Sequence, residues 1–257
     1  MQDYNTIRTA GTATRSAAVD EGLRAYMNKV YGLMAVGMLV TAGASWGMSG
    51  LTLSAEPTQY ALGNGKFLTE IGASLYLSPL KWVVMFAPLV MVFAFGAALN
   101  RLSVQGATTL FYAFAAMMGV SISWIFVSYT SFSIIQTFLV TAIAFAGLSL
   151  YGYTTKRDLS GMGTFLMMGL IGLIVASIVN IFLQSSAMQF AISAIGVLIF
   201  AGLTAYDTQN IKNTYLQLAN SDRDFLGKAA IMGALQLYLD FLNLFMFLLQ
   251  FMGNRDN

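Results

Sequence analysis

The sequence predicts an all-α membrane protein of seven transmembrane helices organised about the last of them. Three observations carry this reading. Of 257 residues, 57% are hydrophobic and only 9% are charged, whereas a soluble domain carries about 25% charged residues. The charges gather in short stretches between apolar runs long enough to cross a bilayer. The last run, residues 229–253, reads AAIMGALQLYLDFLNLFMFLLQFMG and carries Asp240 at its midpoint.

That carboxylate makes the last run the organising element. As a helix, 24 of its residues span roughly 36 Å, which puts Asp240 near the bilayer centre. An ionised Asp there costs about 2.5 to 3.5 kcal/mol, so it faces protein or a wet cavity and takes a partner. Gln236, Asp240, Asn243 and Gln250 are spaced by four, three and seven and share one helical stripe. Tyr238, Phe241, Leu242, Phe245 and Leu249 make the opposite side apolar.

The other elements follow in order. Residues 1–19 are rich in Ala, Thr and Arg and read as a flexible tail, with no apolar stretch of the kind a signal peptide needs. The transmembrane domain occupies 20–253, and 254–257 form a short C-terminal tail. Asp20 and Glu21 suit a helix N-terminus ahead of span 1, about 30–51. Gly43 and Gly47, four apart, are a weak signal for close helix packing. Residues 52–78 form the longest connection. Ser78 and Pro79 open span 2, about 80–100, and Pro88 inside it predicts a kink. Spans 3 and 4 are about 106–127 and 132–153. Spans 5 and 6 are about 161–183 and 187–211. Ser221, Asp222 and Asp224 provide cap residues before span 7, about 229–252.

Charge sets an orientation. Placing the N-terminal tail and the 2–3, 4–5 and 6–7 connections on one side collects 10 of the 13 Lys and Arg residues there and leaves Lys66, Lys81 and Arg255 opposite. By the positive-inside rule the N-terminus is cytoplasmic.

Two absences narrow the chemistry. The chain contains no Cys and no His, which removes thiol nucleophiles, thiolate metal sites and the usual general base and pH sensor. No Walker loop, HExxH or GxSxG constellation is present, so the chain is expected not to be an enzyme and to need no cofactor. A formal net charge of +2 argues against a nucleic-acid surface. The expected surroundings are a lipid bilayer.

Only Asp207 and Asp240 among the acidic residues fall within predicted spans. Thr204 lies one turn before Asp207. One reading is a dyad: two close carboxylates cannot both ionise cheaply, so the pair shares a proton and senses pH without histidine. The other reading is that each Asp hydrogen-bonds across helices and only holds the bundle together. With Lys212 and Lys228 taken as marking one membrane surface, the two carboxylates would lie about 7 and 18 Å deep and miss each other by roughly 10 Å. Pairing then requires span 7 to begin outside the hydrocarbon region, to tilt or to break. Two carboxylates supply at most four oxygens where calcium takes six to eight, so Thr204, Asn243, carbonyls or water would complete a weak, transient shell. Arg101, at the end of span 2, is either a latch that reaches an ionised Asp207 or a plain surface anchor.

The segments AYDTQNIK, ending span 6, and LYLDFLNLFMFLLQFMG, in span 7, resemble the signature of the Bax inhibitor-1 family, in particular its bacterial inner-membrane branch. The resemblance covers about residues 22–253. It implies six helices in two layers wrapped around a central seventh, and a hydrogen-bonded pair, here Asp207 and Asp240, that governs a pH-dependent calcium leak. It also implies an Arg competing for the first Asp, matched by Arg101 in NRLSVQG, with Asn100 as the neighbouring alternative. A further implied partner is a membrane-embedded AAA+ protease engaged through the N-terminal tail.

Overall fold

The structure, a computed structural model, describes residues 3–62, 65–99, 101–219 and 222–254, with residues 3–18 described by backbone alone. Seven helices among them are long and apolar enough to cross a membrane. They are α1 (Asp3–Thr52), α3 (Leu80–Ala98), α4 (Val104–Ile122) continued by α5 (Ile125–Ser128), α6 (Ser131–Thr154), α7 (Ser160–Leu183), α8 (Ser186–Leu218) and α9 (Arg223–Met252). The chain is an all-α membrane protein.

The last helix is the centre. Within the crossing stretch of α9, 61% of residues are buried, against 39% in α8 and 11% in α3. Helices α1, α4, α6 and α8 pack directly on α9, while α3 lies outside α4 and α7 outside α8. Aromatic side chains fill the inner layer: Tyr238 meets Phe111 and Phe114 edge-on, and Phe241 does the same with Phe138 and Phe145. Such contacts add packing energy where the hydrophobic effect between helices is absent.

Close approach in this bundle is made by glycines other than the pair that the spacing suggested. A side chain at Gly43 or Gly47 would meet nothing, because both face outward. A methyl group at Gly152 would instead collide with the backbone of Ala205, and one at Gly119 with the backbone of Thr41. These two positions bring α6 against α8 and α4 against α1 at backbone distance.

Several boundaries differ from those read in the sequence. The backbone of residues 3–19, expected as a flexible tail, is helical and continuous with α1, helped by the alanines at 10, 13, 17 and 18. The 52–78 connection contains a short hairpin, β1 (Leu53–Ser54) with β2 (Phe67–Leu68), and then α2 (Glu70–Tyr76). Lys66 Nζ donates to the Phe126 carbonyl at 2.8 Å, tying this segment to the end of α5. Helix α3 continues through Pro88. Helix α8 runs seven residues past 211, because Ile211 and Tyr215 are buried and Tyr215 packs on Tyr26 of α1. Asp222 is the N-cap of α9 and makes no side-chain cap bond, while Ser221 lies outside the described residues.

Polar clasps hold the ends of α7, α8 and α9. Gln209 of α8 accepts a bond from the Leu159 amide and donates to the Arg157 carbonyl, both at 2.8 Å, so the α6–α7 turn is fastened to α8. Lys212 Nζ donates to the Tyr153 carbonyl at 2.7 Å. At the other end of α9, Asn254 is bonded rather than loose: its amide donates to Ser133 Oγ at 2.8 Å and its carbonyl accepts from the Thr130 amide at 3.3 Å. Arg255 lies outside the described residues.

Candidate functional site

The side chains of Asp207 on α8 and Asp240 on α9 are in hydrogen-bonding contact. Asp240 is 5% exposed and Asp207 half-buried. One oxygen of Asp240, Oδ2, is buried with no hydrogen-bond partner, a costly state for a carboxylate unless a proton, ion or water meets it.

The register of the two helices explains how the pair meets. An added methyl group at Gly233 would come within 3.1 Å of Ile211, and one at Gly196 within 2.6 Å of Phe247. Along this antiparallel pair position 240 is therefore level with about position 204, one turn from Asp207, an offset of about 4.5 Å that side chains can bridge. The roughly 10 Å miss expected from the sequence came from taking Lys212 and Lys228 as level. In this register Lys228 lies about one turn beyond the level of Lys212, and α9 begins at Arg223, six residues before 229.

The neighbours of the pair are mostly bonded within their own helices. Thr204 Oγ1 donates to the Phe200 carbonyl at 2.8 Å, and Asn243 Nδ2 to the Leu239 carbonyl at 2.8 Å. Gln236 is half-buried on the same stripe. Arg101 is exposed in the α3–α4 turn, and among the described residues the ion pair is Lys228 with Asp224 at 3.2 Å, so Arg101 does not engage Asp207 in this state. Asn100 lies outside the described residues.

The structure adds polar residues that the sequence reading passed over. Thr208 Oγ1 lies 3.3 Å from Ser149 Oγ of α6, and the Tyr31 hydroxyl of α1 lies beside this pair. On the other side of α9, the Tyr238 hydroxyl lies 2.6 Å from Thr41 Oγ1, which also lies 2.9 Å from the Ala115 carbonyl. The single Thr41 hydrogen serves a carbonyl, so Tyr238 is the donor to Thr41. A tyrosine on an otherwise apolar helix face, two residues before a buried Asp, was the signal available for this bond.

No group of three or more His, Cys, Asp or Glu side chains suited to a metal occurs among the described residues. Asp207 and Asp240 together offer at most four carboxylate oxygens, fewer than the six to eight that calcium takes.

Comparison with known proteins identifies the family. A family model described as inhibitor of apoptosis-promoting Bax1 matches residues 23–257. The inner membrane protein YbhL of Escherichia coli K12 is 46% identical over 91% of this chain and 93% of its own length. A Caulobacter vibrioides protein is 44% identical over the whole of both chains, and a Rickettsia prowazekii protein is 43% identical over 99% of each. With the family model covering nearly the whole crossing region and these relatives aligned end to end, the chain belongs to the Bax inhibitor-1 family.

Proposed function

We propose that the chain is a pH-sensitive cation leak pathway of the bacterial inner membrane, with calcium as the permeant ion and the Asp207 and Asp240 pair as its gate. The observation that carries this reading is the contact between the two carboxyls on consecutive helices. Two carboxyls hold each other only when they share a proton, because two bare carboxylates at that separation repel. With the proton in place, α8 and α9 are joined and the path is closed. Loss of the proton at higher pH separates the helices and leaves carboxylate oxygens facing the gap, where a cation binds weakly and passes on. In the open state Arg101 is the cation that takes up the freed Asp207. The location follows the name of the Escherichia coli relative and the seven crossing helices, and the excess of Lys and Arg on the N-terminal side supports a cytoplasmic N-terminus.

The test is radioactive or dye-monitored calcium flux into proteoliposomes across about pH 6 to 8. Flux unchanged in Asp207→Asn and Asp240→Asn proteins would sink the reading.

A second reading has one observation in its favour. The backbone of α1 runs as helix back to Asp3, through residues that precede the apolar run beginning at about residue 30, which gives a helical arm for a membrane-embedded AAA+ protease. Deleting residues 2–19 separates the readings: lost protease modulation with flux intact supports the arm, and lost flux supports the channel alone.

A further inference from the structure

The seam between α8 and α9 is polar at two levels and apolar between them. Down α9, Phe247 lies within about 20° of Asp240 on the helical wheel; down α8, Phe200, Gly196 and Gln189 lie within about 20° of Asp207. The carboxylate pair is therefore followed along one line by an aromatic layer and then by amides. In the aromatic layer Phe247 stacks on Phe200, with ring centroids 5.7 Å apart and planes at 24°. Its ring fills the space over Gly196, where any side chain would collide with it. Beyond it, Gln250 Oε1 accepts from Gln189 Nε2 at 2.8 Å and lies 3.4 Å from Ser193 Oγ, while Gln189 Oε1 accepts from Asn180 Nδ2 at 3.2 Å.

This amide cluster ties the ends of α7, α8 and α9 together. It borders an open cavity of about 480 Å³, lined by Asn180, Ser185, Gln189 and Gln250 among others. Amide and hydroxyl oxygens around a cavity that size stabilise a hydrated cation without binding it tightly. Gln250 lies ten residues from Asp240, about 15 Å along the helix, and Phe247 lies between their levels. A ring of aromatic carbon across a narrow seam excludes water and with it any hydrated ion.

We propose that Phe247, seated on Gly196 and Phe200, is a hydrophobic gate separating the carboxylate pair from an outer vestibule for hydrated cations built by Gln250, Gln189 and Asn180. The proposal deepens the leak-pathway reading and rests on it for the identity of what passes. Phe247 blocks because it is large and apolar, so a smaller side chain at 247 lets water join the two polar levels, whereas leucine keeps the seal.

The chain has no cysteine, so single introduced thiols report water access directly. In proteoliposomes treated with a membrane-impermeant thiosulfonate, Gln250→Cys is expected to react and Asn243→Cys to be protected. Adding Phe247→Ala to Asn243→Cys exposes that thiol, and Phe247→Ala alone raises calcium flux by about tenfold at the higher pH where the carboxyl pair has parted. Phe247→Leu restores both protection and low flux, which separates loss of the seal from loss of the fold. A thiol at 243 equally reactive, or equally protected, with Phe or Ala at 247 overturns the gate. Labelling as expected with no flux in any variant keeps the seal and overturns the conduction reading instead.

Discussion

Replacing Asp207 with alanine removes the one side-chain bond between the two carboxyls while leaving the rest of the α8–α9 seam in place. Hydrogen bonds between membrane helices average about 0.6 kcal/mol and reach about 1.7. If the bond holds the pathway closed, its loss shifts the closed-to-open ratio by about 3- to 20-fold in favour of open. Asp207→Ala is therefore expected to raise calcium flux into proteoliposomes by that factor at about pH 6, where the proposed gate would hold the parent closed. The double variant Asp207→Asn, Asp240→Asn makes the opposite test. Two amides donate and accept to each other with no proton to lose, so α8 and α9 stay joined at every pH. Its flux is expected to be low and flat across about pH 6 to 8. Equal flux in Asp207→Ala and the parent, together with a parent-like pH response in the double amide, would refute the argument that the carboxyl contact is the gate.

Four further outcomes follow from the geometry. Tyr238→Phe and Thr41→Val each cost roughly 0.6 to 1.7 kcal/mol, and because they share the 2.6 Å bond the double variant should cost less than the sum; simple additivity in thermal unfolding argues against the bond. Gln209→Ala strands the Leu159 amide and the Arg157 carbonyl, at about 1 to 3 kcal/mol, and hydrogen exchange at Leu159 should quicken; unchanged exchange counts against the clasp. Gly152→Ala pushes a methyl group into the Ala205 backbone and should destabilise by about 1 to 3 kcal/mol, while Gly147→Ala, which meets nothing, should be neutral or better; equal melting temperatures would contradict this packing. Asp158, in the exposed α6–α7 turn, is held below the usual carboxylate range by bonds from the Ser160 side chain and amide. Its contribution is complete above the unfolded carboxylate value and fades as pH falls through the lower folded one, so the stability difference between Asp158→Ala and the parent should shrink below about pH 4; a constant difference would exclude the linkage.

The membrane fold was legible because the bilayer demands long apolar helices, and composition cannot conceal them. The importance of the last helix was legible from Asp240 alone, since a carboxylate at mid-bilayer needs protein around it. What the sequence hid depends on register. The depth of Asp240 relative to Asp207 was misjudged because lysines snorkel and mark a surface only to within a turn. The Gly119 and Gly152 contacts carry no local pattern that distinguishes them from outward-facing Gly43 and Gly47, because facing is fixed by neighbours rather than by spacing. Tyr238 was assigned to an apolar face on the strength of its ring, although its hydroxyl still needed an acceptor. Gln209, next to Thr208 and two residues from Asp207, read as part of a motif rather than as the clasp of the neighbouring turn.

That clasp constrains how the bundle can move. Gln209 fastens the α6–α7 turn to α8 at one end of α7, and Asn180 joins Gln189 of α8 at the other. Helix α7 is therefore a passenger on α8, pinned at both tips. On the leak-pathway proposal, a displacement that parts Asp207 from Asp240 would carry α7 and α8 together as one block. Because α7 presents a broad apolar face outward, such a block would displace surrounding lipid as it moves. On the same proposal, the readiness to open would then be set partly by lateral pressure and acyl-chain packing in the host membrane, a control exerted from outside the polar seam altogether.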